Sequence, residues 1–335
     1  MARSVGYLKA QKIVGTSMVI SRSLTTKVSF AELHCLSNYS FLSGASHPEE
    51  LVEAAAQKGY RAIALTDECT YSGLVKAHMA AKKHAIKFIV GSEFRVSFGT
   101  PINEKLVLLA PNRSAYGQLA AFISKLRMKS EKGSYSAQID DFRIGLNQCF
   151  VLWVPSLNAI SVLTQRGEQL KSMFPEFWIA LELFRDGHDL DKTAHALTLS
   201  MHLNTEIVAS NDVRMHNRSR QPLKDLLKAI RKKTTVTKLE EGISQNSERT
   251  FRDIDELMTL YPVEAIQESV NIASRCSFSM DELSYEYPKD LVPPHLSPTE
   301  YLKQLTMAGA KKRWPRGTPA AVSYTHLTLP TICSV

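Results

Sequence analysis

Short continuous apolar runs recur along the first two thirds of the chain, separated by longer mixed segments. Arg61-Ala62-Ile63-Ala64-Leu65, Phe88–Val90, Leu106–Leu109, Phe150–Val154, Trp178–Leu181 and Ile207–Ala209 each read as a buried strand. The stretch from Phe30 reads likewise, with His34 at its end, and Asp67 ends the second strand. Helical patterns lie between several of these runs, at Gly73–His84 and around Tyr116–Leu126. Apolar runs separated by helices predict a parallel sheet buried on both faces. About seven such units predict closure into a barrel rather than an open sheet. In a barrel, side chains at the carboxyl ends of the strands converge on one face, so His34 and Asp67 fall where chemistry is placed.

The first helix has a clear start. Ser46 can cap a free backbone N–H, Pro48 suits the first turn, and Glu49 can complete a capping box. Leu51 and Ala54–Ala56 give it a small apolar face, and Gly59 ends it. The pattern changes after Asp212. Pro222–Lys232 is helical, Lys233–Asn246 reads as a polar linker, and Phe251–Tyr261 and Val263–Arg275 read as two helices. Glu282–Pro294 is proline-rich and extended. Ser297-Pro298-Thr299-Glu300 has capping-box spacing and opens a helix reaching about Lys312.

These shifts predict four segments. Residues 29–235 form the barrel, and 236–317 a linker and a mostly helical region. Residues 1–28 are expected to be disordered or mis-started. They carry Arg3, Lys9, Lys12, Arg22 and Lys27 and, up to residue 29, no acid. An organelle transit peptide has that composition; the favoured reading is a start codon placed too early, with Met18 nearer the true start. Residues 318–335 are expected to be non-native, because the closing AVSYTHLTLPTICSV resembles translated adapter sequence.

Composition adds less. The chain of 335 residues is 44% hydrophobic, enough to build a core, and its formal charge of +8 fits a nucleic-acid partner without requiring one. The five cysteines are scattered and show no CxxC spacing, which points to a reducing cytoplasm and away from a disulfide framework or zinc ribbon. No apolar run approaches the roughly 18 residues that span a bilayer.

The candidate chemistry is a set of imidazole and carboxylate groups at strand ends: His34, Asp67, Glu93 and Asp212. Such groups can hold two or three metal ions that activate water against a phosphoester. A lone histidine beside a strand is more often hydrogen-bonded, and a strand-end acid is often a helix cap.

Several collinear stretches carry a resemblance. AELHCLSNYSFLSGASHPEELVEAA, ALTDECTYSGLVKAH, IVGSEFRV, LVLLAPN, SNDVRMHNRSRQPLKDLLKAIR and IASRCSFSMDELSYEYP, followed by LTMAGAKKRWPRG, resemble the amino-terminal region of bacterial C-family DNA polymerases, the polymerase III alpha-subunit group. The branch they resemble most is called error-prone DNA polymerase. The resemblance covers residues 28–317. It implies a polymerase and histidinol phosphatase (PHP) domain, a distorted α/β barrel of (β/α)7 type, followed by a helical lead-in to the polymerase palm.

Metal-binding members of that domain also imply a ligand set, which this chain meets only in part. His34 is kept, but Leu36 stands where a second histidine belongs. Asp67 is kept and Glu68 replaces the histidine after it. Glu93 matches a metal-binding glutamate, whereas Lys105 or Leu106 stands at a further histidine position. A ligand cysteine has no match at Val154-Pro155-Ser156. Asp212 is kept and Arg214 replaces the last histidine; His216 could substitute only with a shift of register. Two cations near the metal position disfavour a dinuclear site on Coulomb grounds. The site is therefore expected to be vestigial, with no metal and no catalytic residue. Lys105 and Arg214 are expected to form ion pairs with Asp67, Glu93 or Asp212.

The resemblance places the polymerase's magnesium-binding carboxylates in the palm, beyond residue 317, so this fragment is expected to bind no cofactor and not to polymerise. The parent is expected to use Mg2+, to bind DNA, and to work with other replication or mutagenesis proteins. Two basic segments, Lys224–Lys238 and Lys311–Arg316 with Trp314 embedded, are candidates for phosphate contact. Lys232, Lys233, Lys311, Lys312 and Arg313 are the residues singled out, against the plainer reading of a solvated helix face and a buried tryptophan. Two competing functions remain open: a free-standing metal phosphoesterase of the histidinol-phosphatase kind, and a proofreading 3′–5′ exonuclease. Both need the missing ligands.

Overall fold

The computed structural model describes residues 28–100, 103–143, 145–239, 246–283, 292–317 and 319. The readings made of residues 1–27, 240–245, 284–291 and the closing residues from 320 lie outside these.

Seven strands form one sheet in sequence order. They are β1 (Ala31–Glu32), β2 (Ala62–Leu65), β3 (Lys87–Val96), β4 (Glu104–Leu109), β5 (Phe150–Val154), β6 (Phe177–Glu182) and β7 (Ile207–Ser210). The edges meet beyond β1 and β7, where the Leu36 N–H donates to the Val213 carbonyl (2.8 Å) and the Val213 N–H to that of His34 (3.0 Å). The buried Glu32 carboxylate staples the same seam, accepting from Ser210 Oγ, from Asn211 N and from Asn211 Nδ2. The result is a nearly closed α/β barrel.

One strand departs from the expected parallel order. β4 pairs antiparallel with both β3 and β5, while the other neighbours are parallel. The cause is loop length. A parallel return needs roughly a dozen residues or more, usually including a helix, and only residues 97–103 separate β3 from β4. The reversal has a consequence for the site. It brings the start of β4, with Glu104 and Lys105, to the end of the barrel where the other strands finish.

Helices α1 (Pro48–Gln57), α2 (Leu74–His84), α3 (Arg113–Met128), α4 (Ile160–Met173) and α5 (Asp189–Leu203) follow the strands. Alternation along each strand divides the core. Ile63, Leu65, Leu108, Val151 and Leu181 pack with Leu51, Leu74, Leu119 and Leu163 of the helices. Ala62, Ala64, Val107, Leu152 and Ala180 form the barrel interior. The α1 start lies one residue later than expected: His47 is the N-cap and its N–H donates to Glu50 Oε2 (2.9 Å). Ser46 Oγ instead accepts from the His216 N–H.

Beyond α6 (Gln221–Arg231) come α7 (Ile254–Leu260) and α8 (Val263–Arg275). The first of two compact units runs on to Glu282, well beyond α6, and Leu283 begins the second. The physical reason is α8. Ile272, Ala273 and Cys276 join the interior apolar set, so this helix closes the end of the barrel opposite the site. Ser269 Oγ accepts from Ala31 N, and Trp178 Nε1 donates to Glu268. In the second unit, α9 (Pro298–Arg313) begins at the expected capping box, with Ser297 Oγ accepting from Glu300 N.

Candidate functional site

The strand ends bring together His34, Glu93, Lys105, Glu182, Asp212, Arg214 and Arg249. His34 follows β1, Glu93 lies on β3, Lys105 on β4 and Glu182 ends β6. Asp212 lies just past β7 in a left-handed backbone conformation (φ 43°), a strain of the kind found at functional positions.

His34 is the centre. Its Nδ1 lies 2.6 Å from Glu182 Oε1 and its Nε2 lies 2.7 Å from Glu93 Oε2. A neutral imidazole has one N–H, so two ionised carboxylates on its two nitrogens require the imidazolium. The energetics agree. Burial pulls the His34 pKa down, but Asp212 and Glu182 outweigh it and raise it to about 9.

Three further cations converge on the same acids. Lys105 Nζ lies 2.9 Å from Asp212 Oδ2 and 3.4 Å from Glu182 Oε2. Arg214 grips Asp212 with Nε on Oδ1 and Nη2 on Oδ2, both at 3.0 Å, and Arg249 also pairs with Oδ2. Burial raises the Asp212 pKa, yet Arg214, Lys105 and Arg249 hold it well below the usual carboxylate range. Glu93 is likewise pushed up by burial and brought down to about 2, chiefly by Lys105 and His34.

Asp67 behaves differently from the expectation of an ion pair. It accepts from the N–H and hydroxyl of both Ser37 and Ser40, at 2.7–3.1 Å, and has no cation partner among the described residues. It organises the loop after β1. Burial raises its pKa, and the serine hydrogen bonds oppose that rise. Glu68 points to a separate group, 3.1 Å from Arg95 Nε and bonded by the Tyr135 hydroxyl. Leu36 is fully buried. His216 bonds Ser46 and lies 3.7 Å from Glu50, so it does not take a ligand position.

Of the residues expected at the site, the structure thus brings together His34, Glu93, Lys105, Asp212 and Arg214, and leaves Asp67 and Glu68 aside. Two members were not anticipated. Glu182 directly follows the apolar run Trp178–Leu181 and is the last residue of β6, a position that the apolar pattern alone does not include. Arg249 sits in a polar stretch with no periodicity to mark it.

His34, Glu182 and Asp212 place one ligand atom each within 4.8 Å of one another, close enough for an ion. Glu93 Oε1 is buried without a hydrogen-bond partner. The rest of the donor set does not fit a metal. Both ring nitrogens of His34 are taken by carboxylates, and metal ligands must be deprotonated. Unit charges 4 Å apart repel by roughly 4 kcal/mol at an effective dielectric of 20. A divalent ion here would face Lys105, Arg214 and Arg249 together. The arrangement holds its acids by internal ion pairs.

A model of the PHP domain matches residues 32–155, and with the barrel it defines this part of the chain as a PHP domain. The error-prone DNA polymerase of Dechloromonas aromatica is 45% identical over 299 residues, covering 88% of this chain and 28% of that protein. That of Methylococcus capsulatus is 46% identical over 297 residues, with the same shares. By sequence the chain is a segment of the error-prone DNA polymerase family, and it spans just over a quarter of the length of these curated relatives. Two solved structures are loosely similar. An amidohydrolase from Chromobacterium violaceum is 17% identical with a TM-score of 0.46, covering 56% of this chain and 88% of that one. A metal-dependent phosphoesterase from Bifidobacterium adolescentis is 13% identical with a TM-score of 0.43, covering 69% of this chain and 95% of that one. Neither likeness bears on the chemistry.

Proposed function

We propose that this chain is a non-catalytic part of an error-prone DNA-directed DNA polymerase. The barrel serves as scaffold, and the parent protein performs nucleotide transfer on a DNA template in replication and damage-induced repair synthesis. The observation that supports a structural role is the occupation of the Asp212, Glu93 and Glu182 carboxylates by Lys105, Arg214, Arg249 and protonated His34. On this reading the segment binds no cofactor of its own. Mg2+ belongs to the nucleotidyltransferase centre elsewhere in the parent, and other replication or mutagenesis proteins are its partners. No helix among the described residues is long and apolar enough to cross a membrane, which accords with a cytoplasmic polymerase.

The proximity of His34, Glu182 and Asp212 favours a second, weaker reading, a metal phosphoesterase or 3′–5′ exonuclease. Both readings are tested by two assays. Primer extension with Mg2+ is expected from the full-length parent and not from this chain. Hydrolysis of p-nitrophenyl phosphate or of a labelled oligonucleotide, with Mn2+ or Zn2+ supplied, is expected from neither. Metal-dependent hydrolysis lost in Asp212→Asn would establish the second reading instead.

A further inference from the structure

Above the ion-pair cluster opens a cleft of about 950 Å³. Its wall is built largely by one helix face. Lys224, Lys228 and Arg231 on α6, with Lys232 at its C-cap, follow one another at intervals that place them on the same side, and all four line the cleft. Lys105, Arg214 and Arg249 form its floor. The floor cations are matched by Asp212, Glu93 and Glu182 beneath. Three of the wall cations differ: among the described residues Lys228, Arg231 and Lys232 have no carboxylate within ion-pair distance, and the Arg231 guanidinium reaches the Ser43 hydroxyl (2.7 Å). The two acids of the lining are engaged elsewhere, Glu104 with Arg166 and Asp186 with Lys192.

Like charges four residues apart destabilise a helix. The stripe is nevertheless held where the cations crowd one another. Burial, then Arg249 and Arg214, bring the Lys224 pKa down to about 8. A bound anion relieves that repulsion. A second cavity of about 720 Å³ adjoins the first, sharing Leu42, Arg95, Asn103 and Arg231 with it. Its lining includes Tyr39, Arg127 and Phe41, a residue 81% exposed. A cationic wall that continues into a trough with an exposed aromatic ring suits a strand: phosphates along the charges, a base on the ring. A compact anion would use only the first cavity.

We propose that this trough binds a single strand of DNA across the mouth of the barrel, with α6 holding the phosphates and Phe41 stacking a base. The choice of DNA rests on the polymerase reading above; the cleft and its charge do not. The test uses the full 335-residue chain and fluorescence anisotropy with three probes: a labelled dT12, an abasic strand with the same number of phosphates, and inorganic pyrophosphate as competitor. The expected result is that Lys228→Glu with Lys232→Glu weakens dT12 binding about tenfold or more and lowers the salt slope by about 1.4. Phe41→Ala weakens dT12 severalfold and leaves the abasic strand unchanged. Pyrophosphate competes only at millimolar concentration. Both sites are at the surface, and unchanged thermal melts show that the variants fold. Undiminished dT12 binding by the charge-reversed variant overturns the proposal. Displacement of dT12 by micromolar pyrophosphate also overturns it, making the cleft a free-phosphate site. Failure of primer extension by the parent would remove the polymerase reading and leave these binding results standing.

Discussion

His34 Nδ1 lies 2.6 Å from Glu182 Oε1 at the mouth of the barrel, with both side chains almost wholly shielded from solvent. With Glu93 on the opposite ring nitrogen, this contact fixes the charge state of the imidazole, and with it the pH dependence of the fold. A group whose pKa is higher in the folded than in the unfolded state stabilises the fold below its unfolded value. That stabilisation is lost as pH rises through the folded value. For His34 the window runs from 6.5 to about 9. At about 1.4 kcal/mol per pH unit the loss is roughly 3 kcal/mol. Lys224, lowered to about 8, acts in the opposite sense above that pH. The comparison that isolates His34 is therefore differential. His34→Gln is expected to be less stable than the wild type at pH 6, with the gap narrowing by pH 9 in urea titrations. A gap independent of pH would mean that the imidazole is neutral.

On the acid side the signs mix. Glu93, Glu182 and Asp212 are lowered, so their contribution is present above the unfolded carboxylate range and is lost as pH falls. Glu32 and Asp67 are raised, chiefly by burial, and oppose this.

Metal content follows from the same cluster. The purified chain is expected to carry no stoichiometric zinc, manganese or iron by elemental analysis, and its melting temperature is expected not to respond to EDTA. Two tightly held ions per chain would require Lys105 and Arg214 to swing away from Asp212 and would overturn the ion-pair account.

Much of this was legible in the sequence, for reasons that are local. The strand at Phe150–Val154 and the helices starting at Gly73 and Ser297 are set by apolar runs and caps, signals contained in a few neighbouring residues. Lys105 and Arg214 signalled ion pairs among the strand-end acids because of their charge alone, and both pair with Asp212. What was not legible is long-range. The reversal of β4 follows from the short 97–103 loop, a length that the apolar pattern does not weigh. The partnership of Asp67 with Ser37 and Ser40 depends on how the loop after β1 folds back across 30 residues. The closing of the barrel by α8 cannot be told by periodicity from any other amphipathic helix.

That loop supplies a backbone test. A Cβ at Gly44 would lie 2.0 Å from the Ser37 carbonyl oxygen and 3.0 Å from Asn38 N, both backbone atoms that a rotamer change cannot move. Gly44→Ala must displace the turn that presents Ser37 and Ser40 to Asp67. The expected loss is about 1–3 kcal/mol, the usual range for overpacking. Gly59→Ala makes a useful comparison. Its Cβ would meet nothing within 4 Å, but φ is +70°, so its effect reports backbone strain alone. If Gly44→Ala melts like the wild type, the close approach to Ser37 is not maintained in solution.

The sharpest separation between a scaffold held by ion pairs and a site built for an ion comes from removing the two sides of one pair. Asp212 is fully buried and is shared by Lys105, Arg214 and Arg249. Asp212→Ala leaves Lys105, Arg214, Arg249 and the protonated His34 with only Glu93 and Glu182 to answer them. Breaking a buried pair from one side typically costs roughly 3–5 kcal/mol, and for a domain of this size 1 kcal/mol shifts the melting temperature by about 2–4 °C. A fall of about 10 °C is expected. Lys105→Met should cost less, because Arg214 and Arg249 still hold Asp212 and the methionine fills the space of the lysine stem. In a metal-supported site the response to added ion differs between the two. Removing Lys105 would relieve repulsion toward the ion and raise the melting temperature when Zn2+ or Mn2+ is added, whereas Asp212→Ala would abolish that response. Thermal melts of the two variants with and without added metal therefore decide between the two accounts, and the ion-pair account requires the melting temperature of Lys105→Met to stay unmoved by added metal.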